Sequence, residues 1–255
     1  MTESEPTKTV PPAAAGRAAS AVRGAREPRC AAGTKRHAAR GVRDPGPRER
    51  RFDAAVLAYL AHSPQATVVA LGEGLGTGFW RLDNGRLTWL TVQPPETAAM
   101  RRMLLPDGPR RRTAPCAVTD HRWLDAVPQP DRGVVVVAPG VLMRMPPPAV
   151  RALLAACAER FPDGALVFDV LPRRATALVR WCAGLSGGRW PDPSRWGLDR
   201  ADLPRVASAH PGITGVRELP LGRGWLKGPV SWRPARLPGV RAVAPLVVEV
   251  RFAAR

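Results

Sequence analysis

Large apolar residues are sparse before position 46 and recur in short regular blocks after it. Residues 1–46 are mostly Ala, Pro, Gly and Arg. Such a segment buries too little surface to offset its ordering entropy, so a disordered basic tail is expected there, followed by one folded domain over 47–255. In residues 50–60, Phe52, Val56, Tyr59 and Leu60 fall on one helical face, and Pro64 bars continuation of that helix. Residues 66–71 form a continuous apolar run rich in β-branched side chains, the mark of a strand buried on both faces. Further strands are predicted over 87–92, 114–118, 134–138 and 165–170, with helices over 96–105 and 147–161. Residues 184–212 carry turn signals, and two last strand candidates follow at 216–219 and 246–252. Strands alternating with helices predict an α/β fold with a parallel sheet. The two late strands, with no clear long helix between them, suit an antiparallel hairpin at one edge.

The first strand runs directly into Gly72-Glu73-Gly74-Leu75-Gly76-Thr77-Gly78. Glycines at the tip of a buried strand let a ligand approach the backbone, and open parallel sheets bind ligands along that edge. A nucleoside-type ligand also needs a hydroxyl-binding group at the end of the second strand, about 20 residues further on. Gln93 stands there, followed by Pro94 and Pro95. A third polar position follows the third strand at Asp120, with His121 beside it. His121 reads equally as an adenine contact or as a turn cap.

These residues carry a family resemblance. Residues 51–172 are similar to the leucine carboxyl methyltransferase and polyketide O-methyltransferase group of class I S-adenosylmethionine-dependent methyltransferases. The matching pieces are Arg51-Phe52-Asp53, the glycine turn, Phe79-Trp80-Arg81-Leu82 and Val92-Gln93-Pro94-Pro95-Glu96. Asp120-His121-Arg122-Trp123-Leu124, Gly140-Val141-Leu142-Met143 and Phe168-Asp169 follow in the same order. The resemblance implies a Rossmann-like, seven-stranded, mostly parallel sheet flanked by helices, with one antiparallel edge strand. It implies S-adenosyl-L-methionine as cofactor and methyl transfer to a carboxylate or hydroxyl oxygen of a small metabolite such as a polyketide. The implied cofactor-binding residues are Arg51, Gly72, Glu73, Gly74, Gln93, Pro94, Asp120 and His121. It names no catalytic side chain, and no metal is needed, because the methyl arrives activated on a sulfonium.

Arg48 and Arg50 share with Arg51 the place where the family grips the cofactor carboxylate. The sequence departs from the family pattern at Gly76 and Gly78, where Asp and Arg are usual, and at Gln93-Pro94-Pro95, where Asp-Leu-Pro is usual. Pro139 and Arg144 replace a Glu and a Tyr. Glu73, inside the turn, is a candidate compensator. These departures keep open a second reading, a methyltransferase-fold binding protein that does not catalyse.

Charge adds a third reading without displacing the first. The chain carries 39 Lys and Arg against 21 Asp and Glu, a formal net charge of +18. Nearly all the cations are Arg, and the accompanying wealth of Ala, Pro and Gly matches GC-rich coding. A basic surface favours phosphates and anionic substrates, and the surplus of Arg suits an acidic acceptor. No zinc spacing, RNP-type aromatic motif or helix-turn-helix signature accompanies it, so a small molecule is expected as partner in preference to nucleic acid. The 4 cysteines form no C-x-x-C pair, which argues for reduced thiols over zinc or disulfides. No run of 18 apolar residues and no secretory signal is read, so a cytoplasmic protein without a membrane span is expected. The sequence is silent on oligomeric state. Asp53 reads as helix-start electrostatics, Arg81 as a carboxylate grip or a solvated helix residue, and Asp169 as a strand-end cap. The late tryptophans, Trp181, Trp190, Trp196, Trp225 and Trp232, read as packing or as an aromatic pocket.

Overall fold

A computed structural model describes residues 46–185, 194–219 and 244–254. The expected tail up to residue 45, together with Trp190, Trp225 and Trp232, lies outside them. The described elements run α1 (Pro47–Leu60), β1 (Thr67–Leu71), α2 (Gly78–Leu82), β2 (Thr88–Gln93), α3 (Pro95–Leu104), β3 (Arg111–Pro115) and β4 (Val134–Ala138). They continue with α4 (Pro147–Arg160), β5 (Ala165–Val170), α5 (Arg173–Leu185), α6 (Leu203–Ala207), β6 (Ile213–Glu218) and β7 (Leu246–Phe252).

The strands form one 7-stranded sheet in the order β3-β2-β1-β4-β5-β7-β6. Pairs β1–β2, β1–β4, β2–β3 and β4–β5 are parallel. The hairpin expected at one edge is present as β6 paired with β7. β7 runs antiparallel to both β5 and β6, and β6 takes the outermost position.

The sheet is buried on both faces, which is why its central strands read as unbroken apolar runs. Successive side chains of β4 alternate between two cores. Val134, Val136 and Ala138 join Leu153, Leu154 and Cys157 of α4, with Trp123, Phe161 and Phe168. Val135 and Val137 join Phe52, Val56, Tyr59 and Leu60 of α1, with Phe79 and Trp89. Burial in the first core pushes the Cys157 thiol well above its ordinary range.

Two elements differ from expectation. β3 begins at Arg111 instead of residue 114. It is an edge strand with only Thr113 buried, so its polar residues hide the strand signal. α5 covers a stretch that gave no helix signal. It buries the small residues Ala175, Thr176 and Ala183 and leaves Leu178 and Trp181 exposed at 57% and 64%. Its large apolar residues thus face outward, the reverse of the usual pattern.

Asp53 and Arg81 have a shared structural role. The Arg81 guanidinium donates to both Asp53 oxygens, at 2.9 and 3.0 Å, and clips α2 to α1. That hydrogen bonding raises the Arg81 pKa. Tyr59 makes a longer-range tie. Its hydroxyl donates to the Asp163 carbonyl and accepts from the Val134 N–H, both at 3.1 Å. It joins α1 to the start of β4 and to the turn before β5, and burial raises its pKa. Tyr59→Phe strands a buried N–H and is expected to lower the unfolding free energy by about 1–3 kcal/mol, read from urea denaturation.

Candidate active site

The carboxyl ends of β1, β2, β4 and β5 form one edge of the sheet, and the candidate residues gather there. The chain leaves β1 through Gly72 and Gly74, both at φ +61°. That left-handed conformation suits glycine, which lacks the Cβ that makes it costly. The Gly72 N–H donates to the Val92 carbonyl at 2.8 Å, stitching the turn to the end of β2. A Cβ on Gly72 would come within 2.8 Å of Val141 Cγ2, so the turn after β4 presses against it. A Cβ on Gly74 would meet nothing within 4 Å. Gly74 therefore offers open backbone to a ligand.

The glycine turn is held from beneath by Glu73. One carboxylate oxygen accepts from the Gly78 N–H at 3.0 Å. The other accepts from Trp89 Nε1 and Thr91 Oγ1, both at 3.1 Å, and faces Arg101 at 3.3 Å. Arg101, 4% exposed on α3, also donates to the carbonyls of Gly74 at 2.6 Å and Gly76 at 2.9 Å. Glu73 is thus engaged with the protein interior, where it shapes the turn. Nothing in the sequence distinguished Arg101 from its neighbour Arg102, which sits half exposed on the same helix.

Glu73 also accounts for two departures from the family pattern. A Cβ at Gly76 would lie 2.5 Å from Glu73 Cγ, and one at Gly78 would lie 2.7 Å from the Trp89 ring. The Glu73 side chain fills the space a residue at 76 would use.

Gln93 closes β2 at 1% exposure. Its Nε2 donates to the Thr97 carbonyl at 3.3 Å, which fixes the amide orientation, since a carbonyl cannot face a carbonyl. Its Oε1 is buried without a hydrogen-bond partner. Pro94 follows, exposed, and caps α3. Asp120 begins the short helical turn His121–Leu124 by accepting from the Arg122 N–H. Its carboxylate also pairs with the Arg122 guanidinium, whose hydrogen bonds hold it down at about 2. His121, half buried, opens that turn.

On the other side of Val141, a cleft of about 480 Å³ opens between α1, the turn after β4 and the ends of β5 and β7. Arg48, Arg51, Gly140, Arg144 and Asp169 line it. Asp169, 3% exposed, accepts from the Gly140 N–H at 2.5 Å and pairs with Arg48 at 2.7 Å. It holds the turn after β4 in place, more than the strand-end cap expected of it. Burial lowers the pKa of Arg51, opposed by the charge of Glu218. Of the three α1 arginines, Arg48 and Arg51 reach the cleft. Trp196 packs on Phe168 at 5.5 Å between ring centroids, a core contact. Among the described residues, no group of three or more His, Cys, Asp or Glu could hold a metal ion, and no helix is long and apolar enough to cross a membrane.

Over 127 residues the chain is 32% identical to the tetracenomycin polyketide synthesis O-methyltransferase TcmP of Streptomyces glaucescens, a match covering 49% of this chain and 47% of that protein. Over that stretch the chain is similar to this O-methyltransferase. The match spans about half the length of that relative. No family model matches the chain. Among solved structures, a DUF574 family protein from Streptomyces avermitilis superposes with a TM-score of 0.57 at 13% identity, covering 81% of this chain and 82% of that one. The mitomycin 7-O-methyltransferase MmcR superposes with a TM-score of 0.50 at 20% identity, covering 80% of this chain and 54% of that one. At these identities the structures speak for the fold.

The Glu73 side chain and a residue at 76 compete for one space in the glycine turn, and that packing can be tested directly. Gly76→Asp alone is expected to destabilise by about 1–3 kcal/mol through overpacking against Glu73. Glu73→Ala combined with Gly76→Asp should recover most of the loss, and a double-mutant cycle in urea measures that coupling.

Proposed function

We propose that this chain is an S-adenosylmethionine-dependent O-methyltransferase that acts on a carboxylate or hydroxyl of a small metabolite. The observation that carries this reading is the buried, unpartnered Oε1 of Gln93 at the tip of β2, beside the open glycine turn. A buried acceptor left unsatisfied costs about 1–3 kcal/mol, so its retention is accounted for when a ligand hydroxyl supplies the donor. The resemblance to a named polyketide O-methyltransferase supports the same reading.

The residues present fit such a cofactor. Gln93 would accept from ribose hydroxyls, and the Gly72–Gly74 backbone would allow close approach. Arg51 would pair with the amino-acid carboxylate. Pro94, Asp120 and His121, after β2 and β3, would border the adenine end. Glu73 acts on the cofactor only by fixing the turn. The cofactor supplies a methyl already activated as part of a sulfonium. The protein's part is then to align an acceptor oxygen and exclude water, which is how positioning alone lowers a barrier. A carboxylate acceptor is anionic at neutral pH and needs no general base from the chain.

Calorimetry with S-adenosylhomocysteine tests this. Wild-type protein should bind, and Gln93→Leu should weaken binding by about tenfold, the worth of one or two hydrogen bonds. The same variant should melt close to wild type without ligand, because removing an unsatisfied buried oxygen offsets the lost 3.3 Å hydrogen bond from Nε2 to the Thr97 carbonyl. Absence of binding at about 1 mM ligand, a Kd that saturable cofactor sites surpass, would remove the methyltransferase reading. Binding without transfer of labelled methyl to any carboxylic or phenolic acceptor would favour the non-catalytic alternative.

A further inference from the structure

The arginine-lined cleft takes a guanidinium, that of Arg144, from the turn after β4 as well as those of α1. Its lining holds three guanidiniums, of Arg48, Arg51 and Arg144, and one carboxylate, Asp169. Asp169 is already neutralised by Arg48 and by the Gly140 N–H. Arg144 stands on the turn Leu142–Arg144 after β4, exposed, and its side chain makes no hydrogen bond or ion pair among the described residues. It approaches the cleft from a different element than the α1 arginines, and it replaces a tyrosine of the family pattern.

We propose that Arg144 is a specificity-determining residue that holds a carboxylate on the acceptor which is not itself methylated. This deepens the proposed function and rests on it. Position supports the assignment. The turn bearing Arg144 is the one whose Val141 touches Gly72, so an acceptor anchored by Arg144 lies next to the glycine turn. Chemistry sets which oxygen is anchored. A guanidinium pairs bidentately with a carboxylate and stabilises its negative charge, which makes that oxygen a poorer nucleophile. The anchored group is therefore a handle, and the reacting oxygen is another on the same molecule. Acceptors of this class are hydroxy acids and dicarboxylic acids of small size.

Calorimetry on the full chain, with and without S-adenosylhomocysteine, tests this using 4-hydroxybenzoate and its neutral counterpart 4-hydroxybenzamide as probes. The acid should bind at least about tenfold more tightly than the amide, the scale of one charge-assisted contact. Arg144→Gln should reduce that ratio to near one, Arg144→Lys should restore part of it, and neither should change affinity for S-adenosylhomocysteine. Equal affinity for acid and amide in the wild type, or no binding of the acid at about 10 mM, a Kd weaker than that of functional sites, overturns the proposal. So does an Arg144→Gln variant that loses S-adenosylhomocysteine while keeping its acid preference, since the anion would then be the cofactor's own. Loss of the cofactor reading shows separately, as absent S-adenosylhomocysteine binding by the wild type, and the acid–amide comparison is still read without it.

Discussion

The carboxylate of Glu73 fixes the geometry on which every other feature of the site depends. It sits under a turn of four glycines that would otherwise have wide backbone freedom. Four contacts from three elements converge around it: the Gly78 N–H, Trp89 and Thr91 of β2, and Arg101 of α3, which in turn holds the carbonyls of Gly74 and Gly76. A buried ion pair is favourable only when both partners are fully hydrogen-bonded. Here each charge finds backbone partners as well as the other. The glycine turn is therefore shaped in advance, with Gly74 facing outward, and ordering it on ligand arrival costs little.

Much of the fold was legible because burial on both faces leaves an unmistakable trace. β1, β4 and β5 lie within a residue of where their apolar runs place them, since every side chain in them meets a core. β3 was not, because an edge strand carrying Arg111 and Arg112 has no such trace. α5 escaped because its helix buries alanines and exposes Leu178 and Trp181. The site divides in the same way. Gly72, Gly74 and Gln93 were found from spacing along parallel strands, and the structure gathers them at one edge. Arg101 and Asp169 depend on contacts between elements far apart in sequence, which spacing does not encode. Glu73 was singled out by its place in the turn, and its partners Trp89, Thr91 and Arg101 were not, since a sequence does not show which side of a turn a side chain takes.

The edge has two regions of different chemistry. One is bordered by the glycine turn and Gln93 and offers hydrogen-bond acceptors and open backbone. The other is the cleft of about 480 Å³, dominated by guanidiniums. Asp169 stands between the strands that shape the second region and ties Gly140 to Arg48. A neutral residue there would leave the turn after β4 and the first turn of α1 without their shared anchor.

The placement of β7 has a consequence for how the molecule is made. β6 hydrogen-bonds to the sheet only through β7, which lies later in the chain but nearer the centre. During synthesis β6 emerges with no neighbour to join and waits until residues 246–252 leave the ribosome. A chain cut short before that stretch forfeits two strands at once, and the outer side of β5 is left as a bare, sticky edge.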